Sequence, residues 1–207
     1  MRLAVHINSL KGEYMDDNLE ILKQGEAFLE GHFLLSSGRH SGGYFQCAKL
    51  LRFPALAEKV LSTVTAQVKH LPITKVCGPA MGGVIVSYEL ARQLGTESIF
   101  TEREYGKMQL RRGFYVGKGD KILIAEDVIT TGKSTMETVR VLEALGAEVI
   151  GAACIADRRA SDCTFTLPVY AALKLNIDSY APDDCPICKE GKRKLEKPGS
   201  RDLPVTR

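Results

Sequence analysis

The fifteen residues Lys121–Thr135, KILIAEDVITTGKST, constrain this chain more than any other stretch. An apolar run with strand composition leads into two adjacent carboxylates, Glu126 and Asp127, and then into the turn Thr130-Thr131-Gly132-Lys133-Ser134. The residues after the turn have helical spacing through Leu145, and Gly146 stands where a glycine ends a helix. A strand running into a helix through such a turn sets two anions beside a row of backbone N–H groups. Open α/β sheets bind ligands at the carboxyl ends of strands, and helix N-termini attract phosphate. The stretch therefore reads as a site for a molecule with both a phosphate and hydroxyl groups.

The rest of the chain supplies a setting for that site. Its 207 residues suit one domain with a small appendage, and 44% hydrophobic with 26% charged residues is ordinary globular composition. A net charge of +3 does not suggest broad nucleic-acid binding. No apolar segment is long enough for a membrane span, and Asp16 and Asp17 precede any run resembling a signal peptide. The expected location is cytoplasmic.

Taken in order, residues 1–53 are expected to form an N-terminal helix (Leu19 to Leu29) and a hood segment. In the hood, Ser36–Gly43 has turn chemistry between strand-like flanks. Arg39, Tyr44 and Phe45 are its candidate ligand contacts, although spacing alone slightly favours a strand that puts one ring of the Tyr44–Phe45 pair in the core. Residues 54–176 are expected to form the core. A helix over Pro54–His70 buries Leu56, Val60, Leu61, Val64 and Val68, and is followed by a strand at Lys75–Cys77. A glycine-rich turn, Gly78-Pro79-Ala80-Met81-Gly82-Gly83, opens a helix over Val84–Leu94, and a strand ends at Ile99–Phe100. The polar segment 101–120, with Arg103, Lys107, Arg111 and Arg112, reads equally well as a mobile lid or a solvated hairpin. Strands over Glu148–Ala156 and Val169–Leu173 complete an alternation that predicts an α/β fold with a mostly parallel sheet. Residues 177–207, rich in proline and basic residues, are expected to form an irregular tail.

Six cysteines are scattered along the chain, and only Cys185 and Cys188 have ligand or redox spacing. One CxxC supplies two ligands where a closed zinc site needs four. A tail disulfide or plain thiols therefore rank ahead of zinc.

Two common phosphate motifs can be excluded by inspection. A Walker loop needs glycine five residues before Gly132-Lys133-Ser134, and that position holds Asp127; no GxGxxG follows a strand. The ordered motif of four small or apolar residues, an acidic pair, two β-branched residues and Thr-Thr-Gly-Lys-Ser resembles the phosphoribosyl-pyrophosphate motif of type I phosphoribosyltransferases. Together with SSGRHSGGYF, GPAMGGV, TEREYGKMQLRRG and IADRR, in matching order and spacing, the chain resembles the orotate phosphoribosyltransferases over most of its length.

That resemblance implies a type I phosphoribosyltransferase-like fold and transfer of phosphoribose from phosphoribosyl pyrophosphate to orotate. It also implies Mg²⁺ carried mainly by the substrate, with no direct protein ligand but with Asp127 in reach through water, and a homodimer whose lids serve neighbouring subunits. Glu126 and Asp127 would hold the ribose hydroxyls, with Asp127 also near the reacting carbon. Thr130, Thr131, Gly132, Lys133 and Ser134 would hold the monophosphate, with Val128 and Ile129 also in the phosphoribosyl-pyrophosphate site, and Gly82 and Gly83 would sit in the pyrophosphate turn. Arg103 and Lys107 would be the catalytic lid cations, and Thr130, Arg158, Tyr44 and Phe45 would meet orotate. The chain departs from better-known members at Ser36 and Gly82, where they carry lysine. It departs again at Glu104, where they carry a basic residue, and at Gln109, where they carry histidine. Lys107 is then the expected central lid cation. A purine phosphoribosyltransferase and a non-catalytic sensor of phosphoribosyl pyrophosphate are the alternatives.

Overall fold

A computed structural model describes residues 14–35, 37–160, 163–175 and 177–198. Ser36, whose replacement of a lysine was noted above, and much of the segment 197–201 lie outside the described residues.

The core is a six-stranded sheet in the order β5-β4-β3-β6-β7-β8. Its strands are β3 (Lys75–Pro79), β4 (Glu97–Glu104), β5 (Lys107–Leu110), β6 (Lys121–Ile129), β7 (Glu148–Asp157) and β8 (Val169–Lys174). All neighbours pair in parallel except the edge strand β5, which returns antiparallel from β4. The sheet is mostly parallel, as the alternation of strand and helix patterns requires. Side chains alternate along β6, so its two faces feed two cores. Leu123 and Ala125 join Val60, Leu61 and Val64 of α3 (Pro54–Val68) and Val86 and Leu90 of α4 (Gly82–Leu94). Ile122 and Ile124 join Val139 and Leu142 of α5 (Lys133–Ala144) on the other face. Ile122 to Ala125 are fully buried with both faces of the sheet covered, which explains the unbroken apolar run at the centre of β6.

The N-terminal region differs from expectation in detail. The first helix, α1, spans Tyr14–Gln24 rather than Leu19–Leu29. Gly25 follows it, and Glu26 adopts a left-handed φ of 55°, which turns the chain away from the helix axis. Phe28 and Leu29, counted as helical from their spacing, instead begin β1 (Phe28–Leu34), where Phe28 is buried against Phe45 in the same core. β1 forms an antiparallel hairpin with β2 (His40–Phe45), so the turn is narrower than Ser36–Gly43. The short helix α2 (Cys47–Leu51) leads into α3, which ends two residues before His70.

The tail is mostly irregular, as its composition implies, but the described part of it is docked. Ser179–Tyr180 (β9) pairs with β2 to give a second sheet, β1-β2-β9. A single 3₁₀ turn and the helix α6 (Pro186–Glu190) follow. Glu196 then exchanges backbone hydrogen bonds with Leu34 and His32 of β1, both at 2.8 Å. The tail thus covers the hood hairpin. No helix among the described residues is long and apolar enough to cross a membrane.

Candidate active site

At the carboxyl end of β6 the chain turns through Thr130 and Thr131 to Gly132, which caps α5 with φ 69° and ψ 13°. That left-handed conformation favours glycine, and an added Cβ would also collide with the Phe165 ring. Gly132 has no side chain with which to cap α5, so the N–H groups of Ser134 and Thr135 lie at the positive end of the helix dipole without a capping partner among the described residues. A pocket of about 80 Å³ lies there, lined by Glu126 and by every residue from Val128 to Thr135. This is far below the several hundred Å³ of a site that engulfs a whole ligand. It suits one phosphate-sized group, with the rest of the molecule lying outside. Lys133 opens α5 and its backbone N–H leans on the Thr131 hydroxyl at 3.4 Å.

The two carboxylates straddle the strand end. Glu126 faces α5, where the Thr135 hydroxyl reaches Oε1 at 3.5 Å. Asp127 faces α4: its Oδ1 accepts the Val128 N–H at 2.8 Å, and a Cβ built on Gly82 would lie 2.5 Å from its carboxyl carbon. The β3–α4 turn, whose Ala80–Met81 peptide is cis, is therefore seated directly on Asp127. Gly83 allows the same approach from within, since its Cβ would meet the Ala125 carbonyl at 2.6 Å. Burial, with the neighbouring Asp127 charge, pushes the Glu126 carboxyl up to about 8. Burial also raises Asp127 above the usual carboxylate range, against the hydrogen bond from Val128. Two half-hidden acids held above their ordinary values call for hydroxyl donors or a cation. Glu126 and Asp127 thus fit a hydrated Mg²⁺ brought in with the substrate.

The next strand carries the second arm of the site. At the end of β7, Arg158 donates its backbone N–H to the Ile129 carbonyl at 2.8 Å, which ties it to the phosphate turn. Its side chain is half-buried, and among the described residues it has no hydrogen bond or ion pair. Burial lowers its guanidinium below the ordinary value, with Tyr44 and Cys47 close enough to oppose that shift. Its neighbour Arg159 behaves differently, making two hydrogen bonds of 2.9 Å to Asp157. A guanidinium fork buried without an acid is costly unless an anionic ligand completes it. Tyr44 is half-buried with its ring 5.8 Å from that of Phe33. Phe45 points the other way along β2 and is only 7% exposed, inside the larger core. Of the aromatic pair, Tyr44 alone keeps surface for a ligand.

The basic segment is a β4–β5 hairpin with Tyr105 and Gly106 at its tip, both in left-handed conformations. None of its residues lines the phosphate pocket. Arg103 is held by Glu137 of α5, Arg112 by both oxygens of Glu102, and Arg111 by Glu102 and Glu104. Lys107 has no ion pair among the described residues and is exposed at the hairpin tip. Arg39 is also committed, since it donates to the Ser179 hydroxyl at 2.9 Å and to the Ser179 carbonyl.

Three partners escaped the sequence reading. Cys47 donates to the Asp127 carbonyl at 3.4 Å, Thr135 touches Glu126, and Glu137 holds Arg103. Thr135 lies within the motif and could have been read from helix geometry. Cys47 and Glu137 have no local signal because their partners are 80 and 34 residues away.

Comparison with known proteins agrees with this geometry. Residues 54–164 match the phosphoribosyl transferase domain family. An orotate phosphoribosyltransferase of Caldicellulosiruptor saccharolyticus is 48% identical over 185 residues, covering 89% of this chain and 96% of that protein. The crystal structure of the Aeropyrum pernix orotate phosphoribosyltransferase superposes with a TM-score of 0.64 at 25% identity, over 75% of this chain and 92% of that one. Adenine phosphoribosyl transferase from Trypanosoma brucei, solved with AMP, pyrophosphate and ribose-5-phosphate, has a TM-score of 0.59 at 16% identity, covering 81% of this chain and 82% of that one. The fold is thus common to pyrimidine and purine enzymes, while the sequence match over nearly the whole length is more specific: this chain belongs to the orotate phosphoribosyltransferase family.

Proposed function

We propose that the chain transfers the 5-phosphoribosyl group of phosphoribosyl pyrophosphate to orotate, giving orotidine monophosphate and pyrophosphate in pyrimidine biosynthesis. Family membership supports the reaction, and one structural observation carries the choice of base: the half-buried Arg158 guanidinium that no acid neutralises. Orotate is an anion and a neutral purine is not. Arg158 would take its carboxylate or ring oxygens, with Tyr44 against the flat face and Thr130 at the ring edge.

The sugar phosphate would sit over β6. Val128 to Ser134 would cradle the 5-phosphate with backbone N–H groups and hydroxyls, and Glu126 and Asp127 would accept from the ribose hydroxyls. In the reaction the ring nitrogen of orotate gives up its proton to solvent and forms a bond to the anomeric carbon while that carbon's bond to pyrophosphate oxygen breaks. The bonding pair leaves with pyrophosphate, so positive charge builds on the ribose ring, where Asp127 would lie at short range to stabilise it. Gly82 and Gly83 would give the leaving group backbone contact. Mg²⁺, when bound with the substrate, supplies further neutralisation of the diphosphate charge. Lys107 and Arg103 would add lid cations. Fixed charges of this kind are worth about 3 kcal/mol each when they act only on the transition state.

The proposal includes a homodimer in which each lid acts on the neighbouring site. Ile85 and Tyr88 of α4 and Met81 at its N-terminal cap support it: they are 49%, 68% and 84% exposed and follow helical spacing. A second copy would cover that stripe. A cytoplasmic location is consistent with these substrates.

The test is direct. Protein, Mg²⁺ and phosphoribosyl pyrophosphate are mixed with orotate, adenine or hypoxanthine, and the base absorbance is followed. Orotate alone is expected to be consumed. Consumption of a purine instead would replace the assignment by a purine phosphoribosyltransferase, and silence with every base would favour a non-catalytic sensor.

A further inference from the structure

The docked tail brings four metal-ligating side chains together far from the phosphate pocket in sequence. His32 of β1, His40 of β2, Cys185 at the start of α6 and Cys188 within α6 place one ligand atom each within 4.8 Å of all the others. His32 Nε2 lies 3.1 Å from His40 Nδ1, 3.5 Å from Cys185 Sγ and 3.5 Å from Cys188 Sγ. Cys188 Sγ is 3.2 Å from His40 Nδ1. His32, His40 and Cys185 are buried, while Cys188 sits at the exposed rim.

These separations are the edges of a coordination tetrahedron. Bonds of about 2.3 Å to sulfur and about 2.05 Å to nitrogen at tetrahedral angles give roughly 3.5 Å between S and N and roughly 3.3 Å between two N atoms. The observed values fall within a few tenths of an ångström of both. A second observation points the same way. His32 Nδ1 lies 3.2 Å from the Arg193 carbonyl. A carbonyl can only accept, so Nδ1 carries the proton and the Nε2 lone pair is aimed at the cluster. Histidines that bind metals are oriented in this manner. The two imidazoles cross at 71° with centroids 5.0 Å apart, and they turn nitrogens rather than carbons towards each other.

We propose that His32, His40, Cys185 and Cys188 form a structural zinc site that staples the tail to the hood. Two thiols lose their protons to solvent and two neutral imidazoles bind, so a Zn²⁺ ion yields a cluster of zero net charge, which burial does not penalise as a lone ion. A tetrahedral N₂S₂ set with all four positions filled by protein suits zinc and leaves no open position for catalysis. The staple joins β1, β2 and α6, and four residues beyond His40 along β2 lies Tyr44. The metal would hold the hood strand from which the base-facing tyrosine projects. A Cys185–Cys188 disulfide would use the sulfurs and leave the paired histidines without a role.

The experiment uses the full chain, purified under reducing conditions with zinc in the medium and then desalted. One zinc per chain is expected by elemental mass spectrometry. Stripped protein refilled with Co²⁺ should show thiolate-to-cobalt charge transfer in the near ultraviolet and the intense visible bands of tetrahedral cobalt. Cys188→Ser is expected to lose at least nine-tenths of the bound zinc, whereas Cys188→His, which keeps four ligands, should retain it. If Cys188→Ser does not fold, the wild-type cobalt spectrum decides alone. Folded, reduced wild-type protein that takes up no zinc at equimolar metal overturns the proposal, as does a cobalt spectrum without the thiolate band. A native protein lighter by two hydrogens, with Cys185 joined to Cys188 and no metal, overturns it too.

Discussion

Glu126 shows how a residue can serve a ligand at the expense of the fold. Burial beside Asp127 pushes its carboxyl up to about 8, from an unfolded value of about 4.3. A raised folded value means that the native state binds the proton more tightly than the unfolded chain does. The stability it contributes is complete below about pH 4.3 and is lost as pH rises through about 8. Glu126→Gln, which cannot ionise, removes that loss. In ligand-free protein, the melting temperature of the variant relative to wild type should therefore climb between about pH 5 and about pH 9, while affinity for phosphoribosyl pyrophosphate falls. Thermal melts across that range check it; a difference that stays constant with pH would mean that Glu126 is ionised throughout. Arg158 carries the complementary burden, a half-buried cation without an acid among the described residues, and both costs are relieved by one bound ligand.

Among the elements, the β3–α4 turn and the end of β6 act as one unit. Gly82 opens α4 directly against the Asp127 carboxylate, and Gly83 packs on the Ala125 carbonyl of the same strand. Gly82 has no side chain, so the start of α4 can sit directly against the acid. Gly82→Ala should push Asp127 aside and raise KM for phosphoribosyl pyrophosphate about tenfold, since misplacement on the ångström scale can cost up to about 10²-fold. Circular dichroism and the melting temperature should change little, because the clash falls on a side chain at the surface of the site. A KM within twofold of wild type would show that Asp127 swings away freely and is not placed by Gly82. The β4–β5 hairpin is a separate unit in which three arginines are held by acids, leaving Lys107 available at its tip.

For the whole molecule, the question is where Lys107 acts. No hairpin residue lines the pocket of its own chain, and an apolar stripe on α4 is left uncovered. A lid serving a neighbouring subunit satisfies both facts. Lys107→Ala should lower kcat far more than it raises KM for orotate. Asp127→Asn should weaken binding of phosphoribosyl pyrophosphate. Mixing and refolding the two crippled proteins in equal amounts should then restore about a quarter of wild-type activity, because half of the dimers pair one intact lid with one intact site. Steady-state assay of the mixture checks this. A mixture no more active than its components would place each lid over its own site.

The alternation of strands and helices, the phosphate turn and the family resemblance are legible in the sequence because they depend on local patterns. The apolar run of Lys121–Ile129, its acidic pair and the glycine turn lie within a few residues of one another, and their chemistry follows from spacing. The end of α1 at Gln24 was less legible, because Phe28 and Leu29 keep helical spacing while their burial partner, Phe45, is 17 residues on. Which ring of Tyr44–Phe45 faces out was decided only by the packing of Phe45 into the larger core with residues such as Phe28 and Leu50. The tail was least legible of all. Cys185 and Cys188 gave two ligands at the right spacing, and a separate hairpin supplied the other two across a separation of about 150 residues. Local sequence carries the expectation that the β6–α5 turn binds a phosphate, since hydrogen-bond donors and a helix terminus are local objects. Tertiary structure alone decided which distant side chains complete it, because that depends on how β2, β7 and the tail pack together.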